Sequence, residues 1–195
     1  MSSCTKCSNG PQDEQVVEQD TAFVVEAINQ SDFDSMIAKY SDTDFRWYEC
    51  DILLKDFLDE ECDGTIEELV NVYQTVTEKD GGSFDTQVYK VQHFADGTVY
   101  TDSIKGFWIE DYPITMEDIK VSYAEAFELI MAVNLPKPHS QYVTIRKPIG
   151  PLECNTQYIF GNIHAQIWVD AVTGEIREAN PAFPQELQKP LGEWP

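Results

Sequence analysis

Hydrophobic and polar residues follow one another along this chain in two rhythms, and most of the predicted elements come from telling them apart. Between Thr21 and Tyr40 the apolar residues fall three and four apart. Phe23, Val24, Ala27 and Ile28 make one stripe, and Phe33, Met36, Ile37 and Tyr40 a second. One or two helical segments are expected, with Ser31 placed to cap the second and Asp34 three residues on. Phe45 to Phe57 is rich in aromatic and branched residues and reads as a strand, although Phe45, Trp47, Cys50 and Ile52 do not alternate cleanly. Ile66, Leu69, Val70, Tyr73 and Val76 return to helical spacing. Thr65 to Lys79 is therefore expected to be a helix, capped by Thr65 and Glu68 and ended by Gly81-Gly82. Thr86 to Phe94 and Thr98 to Ile109 read as a hairpin over Ala95-Asp96-Gly97, because Asp-Gly suits a tight turn with positive φ.

The most organised stretch is Ile114 to Ile176. A helix is expected to open at Thr115, with Asp118 completing a capping box, and to bury Ile119, Tyr123, Ala126, Phe127, Ile130 and Met131. Pro136 and Pro138 stop it. Gln141 to Lys147 reads as a strand. Ile163, Ala165, Ile167 and Val169 alternate with His164, Gln166, Trp168 and Asp170 in the period of a second strand. An acidic turn follows, with Gly174 where φ must be positive. Helix–strand–strand order thus occurs at 65–109 and again at 115–176. That order predicts an α+β fold, an antiparallel sheet with helices on one face, built from two degenerate α-β-β units.

The residues Ile114-Thr115-Met116-Glu117-Asp118, Ala124 to Phe127, and Val169-Asp170-Ala171-Val172-Thr173-Gly174-Glu175-Ile176 carry a resemblance. In that order they resemble the PepSY domain, a helix with an Ala-rich face followed by strands, the last running into a V-D-x-x-T-G-[EK]-[IV] turn. The resemblance covers residues 114–178. It departs from the pattern at Lys147 to Thr156, where Lys-Pro-Ile-Gly-Pro-Leu-Glu-Cys-Asn-Thr lengthens the strand connection. It implies a non-catalytic, extracytoplasmic protein that binds or restrains a partner, as in protease propeptides and secreted or membrane-associated proteins. In that reading Asp170 and Thr173 shape the turn by bonding local backbone.

Composition narrows the classes. Apolar residues make up 42% and aromatics 12% of the 195 residues, enough for a packed core. Thirty-five acidic against 13 basic side chains give a net charge of −22. Such a surface repels phosphate backbones and anionic membranes, so no nucleic-acid partner is expected. No run approaches the roughly 18 apolar residues of a membrane span, and no signal peptide is visible. The chain is expected to be cytoplasmic, or extracytoplasmic if it is a trimmed mature form. Met1-Ser2-Ser3-Cys4 loosely resembles the end of a bacterial lipoprotein signal. Residues 1–20 read as a flexible acidic tether, 21–113 as an α+β N-terminal part, 114–178 as the PepSY-like domain. Residues 179–195, with Pro181, Pro184, Pro190, Pro195, Phe183 and Trp194, read as a Pro-rich strap or a peptide ligand.

Chemistry is sparse. Cys4 and Cys7 form a C-x-x-C pair without the strand and helix of a redox site. Cys50, Cys62 and Cys154 lie far apart, which leaves a zinc site short of ligands. Asp59 to Ile66 imitates a calcium loop, with carboxylates at positions 1, 3 and 5 and Gly64 at 6, but Val70 stands where the bidentate glutamate belongs. Cys154 with His164 lacks the context of a nucleophilic pair. No catalytic residue, metal or cofactor is expected. The surplus lies in the aromatics: Trp108, Tyr142, Tyr158 and Trp168 are the candidate binding residues, on a sheet face that is either exposed or covered by another layer. The leading expectation is a non-catalytic PepSY-like protein with a protein or peptide partner. The alternatives are a self-assembling structural subunit of a virion or other particle, and a metal protein or enzyme using the cysteines or acidic loop.

Overall fold

Asp44–Leu54 (β1) and Tyr142–Pro148 (β6) pair antiparallel at the centre of one sheet, and the rest of the chain builds outward from that pair. On one side lie Ile66–Lys79 (β2), Ser83–Phe94 (β3) and Val99–Lys105 (β4); on the other, Gln157–Gly161 (β7), Gln166–Asp170 (β8) and Ile176–Ala179 (β9). The order is β4-β3-β2-β1-β6-β7-β8-β9, every pairing antiparallel, with the short Asp111–Tyr112 (β5) paired to the end of β6. Among the described residues two α-helices complete the α+β fold, Val25–Lys39 (α1) and Tyr123–Ala132 (α2). This computed structural model describes residues 23–40, 44–79, 82–108, 111–149, 155–162 and 164–179. The N-terminal tether, the Cys4/Cys7 pair, Cys154 and residues 180–195 of the strap lie outside them.

Both helices pack on the same face. Strand alternation sends Cys50, Ile52, Leu69, Tyr73, Val143, Ile145, Tyr158, Phe160, Ile167 and Val169 to that side, all of them buried. α1 lies over β1 and β2, and Phe127 of α2 meets Phe160 with ring centroids 6.4 Å apart. Each such side chain removed from water contributes about 1.5–3 kcal/mol. Among the described residues no helix is long and apolar enough to cross a membrane.

Several expectations change. The helix expected at 65–79 is instead β2, a 14-residue strand. Residues 71–75 are buried on both faces, so apolar residues drawn from both sides of one strand imitated helical spacing, while its Val and Thr content favours the pleated backbone. Glu68 accepts from Gln92 Nε2 across the strand pair at 2.6 Å instead of capping a helix. The carboxylates of Asp59 and Asp63 are engaged by the N–H groups of Glu61 and Thr65, each at 2.9 Å, so the would-be calcium loop is a pair of local turns. The helix–strand–strand order at 65–109 therefore does not exist. Instead α1 leads β1 to β4, and α2 leads β6 to β9.

The Thr115–Asp118 capping box is real but closes a single 3-10 turn, Met116–Asp118. The chain then extends, so that Lys120 and Val121 donate to the Ala171 carbonyl at 2.8 and 2.9 Å. A second box, Ser122 with Glu125, starts α2. α1 is one uninterrupted helix, with Ser31 in its interior. Clean alternation in β1 fails because of a bulge between Trp47 and Glu49, which shifts parity by one residue. β7 lies outside the expected strands, and β8 starts only at Gln166. Gly161, the last residue of β7, at φ +129°, turns so tightly that an added Cβ would stand 2.2 Å from the Ala165 carbonyl oxygen.

Candidate functional site: the open face of the sheet

With both helices on one face, the same alternation turns the other face away from them, and among the described residues no helix covers it, although Glu49, Gln74 and Gln157 at its centre are buried. Across its middle run Glu49 and Asp51 of β1, Thr144 and Arg146 of β6, Gln157 of β7, and Trp168 and Asp170 of β8. The β4–β5 crossover comes over this face. The backbone N–H of Trp108 donates to Gln74 Oε1 at 2.6 Å, and Lys90 Nζ stands 5.7 Å from the Trp108 ring centroid. β5 then pairs with β6 while Ile114 bridges to Trp47, so the crossover wedges in where β1 and β6 part.

That wedge closes over a nest of charge. Arg146 donates from Nε to Asp111 Oδ1 at 2.9 Å and its Nη2 lies 2.8 Å from the same oxygen, with the Asp111 side chain fully buried. Asp51 accepts from Thr144 Oγ1 at 2.9 Å. Glu49 is 7% exposed. Burial, and then the neighbouring Asp51, push its carboxyl up to about 8; Arg146 opposes the shift and Asp111 adds to it. With Asp51 and Asp111 close by and Arg146 engaged by Asp111, Glu49 favours its protonated form at neutral pH. Among the described residues no group of three or more His, Cys, Asp or Glu is placed to hold a metal ion.

Of the four aromatic candidates, three come to this face. Trp168 is half-buried, its Nε1 donating to Gln166 Oε1 at 2.8 Å and its ring 5.6 Å from the Arg177 guanidinium. Tyr142 is 58% exposed, and Trp108, in the crossover itself, is half-buried. Tyr158 is corrected: it points to the helix side, is fully buried, and donates its hydroxyl to the Val121 carbonyl at 2.7 Å. It faces the core because β7 is paired so that Tyr158 stands beside Ile145 and Val169. Sequence reasoning missed Glu49, Asp51, Asp111 and Arg146. The available signal was a glutamate set inside the apolar run Trp47-Tyr48-Glu49-Cys50-Asp51-Ile52.

The helix side holds a second polar group, with a different role. Asn71 Nδ2 donates to Asp32 Oδ2 at 2.8 Å and to Asn29 Oδ1 at 3.0 Å, and His93 Nε2 lies 2.9 Å from Asp32 Oδ2. Cys50 Sγ lies 3.7 Å from Asn29 Oδ1. This network ties α1 to β1, β2 and β3 beneath the helix. Cys50 is fully buried, and burial raises its thiol pKa well above the ordinary range, which keeps it protonated and unreactive. Cavities of about 490 and 610 Å³ flank Phe23 at the start of α1, lined mainly by apolar groups and the 63–66 and 95–97 turns.

A scan against protein-family models, a search of the curated proteins and a search of the solved structures each find no match.

Proposed function

We propose that this chain is a non-catalytic binding module that engages a protein or peptide partner through the open face of its sheet. The observation that carries the reading is the asymmetry of the sheet: one face is sealed by both helices, while the other presents Trp108, Tyr142 and Trp168 around buried charge. Aromatic groups with a polar handle, half-sunk and set beside an Arg, are the residues that dominate binding energy at protein interfaces.

The PepSY-like reading of residues 114–178 belongs to the same proposal. It is supported by the way the two ends of the motif meet. Asp170 accepts from the N–H groups of Val172 and Thr173 at 2.9 Å each, and the Gly174 N–H closes onto the Asp170 carbonyl at 2.8 Å with φ +73°. Burial alone would raise the Asp170 carboxyl; the N–H groups of Thr173 and Val172 outweigh it and hold the carboxyl below its usual value. The Ala171 carbonyl then takes the two N–H groups just ahead of α2, so turn and helix form one unit. We read the degenerate duplication as units near 25–105 and 123–179, each a helix followed by four strands.

The test is capture of a partner from extract of the source cells by the intact chain, followed by titration of that partner, once identified, against variants. Trp168→Ala with Tyr142→Ala is expected to weaken binding at least tenfold, while Ile37→Ala, on the exposed side of α1, leaves it unchanged. Loss with Ile37→Ala and not with the open-face pair sinks the reading.

A further inference from the structure

β4 is the outermost strand on its side of the sheet, bonded among the described residues to β3 alone, and all seven of its residues are exposed. The ends of the pair set its phase. The Phe94 N–H donates to the Thr98 carbonyl and the Gly106 N–H to the Thr86 carbonyl. Tyr100, Asp102 and Ile104 therefore turn their backbone groups toward β3, and Val99, Thr101, Ser103 and Lys105 turn theirs away from the sheet. One of those outward amides is covered: the Ser103 N–H donates to the Asp102 carboxylate at 2.7 Å. On either side of Asp102, on the open face, stand Tyr100 and Ile104, 61% and 64% exposed. A free edge this apolar invites indiscriminate pairing, and an acid at its centre is how such edges are guarded.

We propose that β4 is the docking strand for an extended segment of a partner, one that carries Lys or Arg opposite Asp102 with apolar residues two positions to either side. An incoming cation draws the Asp102 carboxylate to itself and frees the Ser103 amide for the new ladder. Main-chain bonds to Val99, Thr101, Ser103 and Lys105 supply affinity, and the apolar–acid–apolar row supplies selection. The net charge of −22 attracts a basic segment and opposes a second copy of the chain. Two copies related by a two-fold axis at the strand centre would set Asp102 against Asp102, like charges directly opposite. The proposal rests on the binding-module reading and names its partner chemistry.

The experiment titrates the full chain, by fluorescence anisotropy, against labelled nine-residue peptides of alternating Val and Thr whose central residue is Lys in one and Glu in the other. The Lys peptide is expected to bind about tenfold tighter than the Glu peptide, and Asp102→Lys to invert the order. Hydrogen exchange should show new protection at the Thr101, Ser103 and Lys105 amides. Asp102 is exposed, so its replacement leaves the core intact. Absence of binding, equal binding of both peptides, an order indifferent to Asp102→Lys, or protection confined to other strands would each overturn the proposal. So would light scattering that shows the unliganded chain pairing with itself through β4. None of these results touches the open-face reading, which is decided at Trp168 and Tyr142.

Discussion

Glu49 offers the sharpest test of the electrostatics. It faces Arg146 of β6 and Val72 of β2, with Asp51 along its own strand and Asp111 of β5 nearby. In the unfolded chain its carboxyl titrates near 4.5, and in the folded protein burial and then Asp51 lift it to about 8. Between those values the folded state holds a proton that the unfolded state has lost. Stability is therefore greatest at the acidic end of the window and falls as pH rises through it. A gap of about 3.5 units at about 1.36 kcal/mol each sets a ceiling near 5 kcal/mol. Rearrangement of Arg146 and entry of water relax a charged Glu49, so about 2 kcal/mol of pH-dependent loss is expected between pH 5 and 9. Glu49→Gln fixes the neutral form and removes that loss. Urea unfolding followed by tryptophan fluorescence, at five pH values and constant ionic strength, measures it. The variant should match the wild type near pH 5 and exceed it by about 2 kcal/mol at pH 9. Self-repulsion of the acidic surface changes with pH in both proteins and cancels in the difference. Parallel curves for the two proteins would mean that Glu49 ionises normally and that the buried charge has been misread.

Three further outcomes test the fold. Gly161→Ala places a Cβ against the Ala165 backbone oxygen at 2.2 Å, which no side-chain movement relieves, so a loss of about 3 kcal/mol or more is expected in chemical denaturation. Ser122→Ala removes the cap that starts α2 and should cost about 1 kcal/mol, seen as a lowered Tm by circular dichroism. Cys50 and Cys62 are buried and their thiols raised, so iodoacetamide should modify them only in denaturant; peptide mass spectrometry that finds either labelled in native buffer would contradict the packing around them.

The turns were the most legible elements. Turn chemistry at Gly174 and at Asp96-Gly97 is local, depends on φ, and shows in a few residues; Gly97 sits at φ +84° between β3 and β4 as the hairpin reading required. β2 was misread because periodicity cannot separate a helix from a strand buried on both sides, and only its neighbours β1 and β3 decide the matter. The break before α2 was hidden for a related reason: its extended residues are held by the carbonyl of Ala171, some fifty positions away. Of the site, the aromatics could be named from the sequence, and alternation with Ile167 and Val169 already set Trp168 on the face away from the core, but nothing there fixed the side of Tyr158. Strand register alone sends Tyr158 inward. The charges around Glu49 depend on contacts between β1, β5 and β6, distant in sequence, and spacing holds no trace of them.

A partner bound on the sheet face opposite the helices shields that face from solvent. Hydrogen exchange of the intact chain, alone and saturated with its captured partner, reads this out. Exchange is expected to slow in the open-face strands and crossover, around Trp108, Tyr142 and Trp168, with α1 and the outer surface of α2 unchanged. Protection concentrated on α1 and α2, with the open-face segments exchanging as they do in the free protein, would contradict binding on that face.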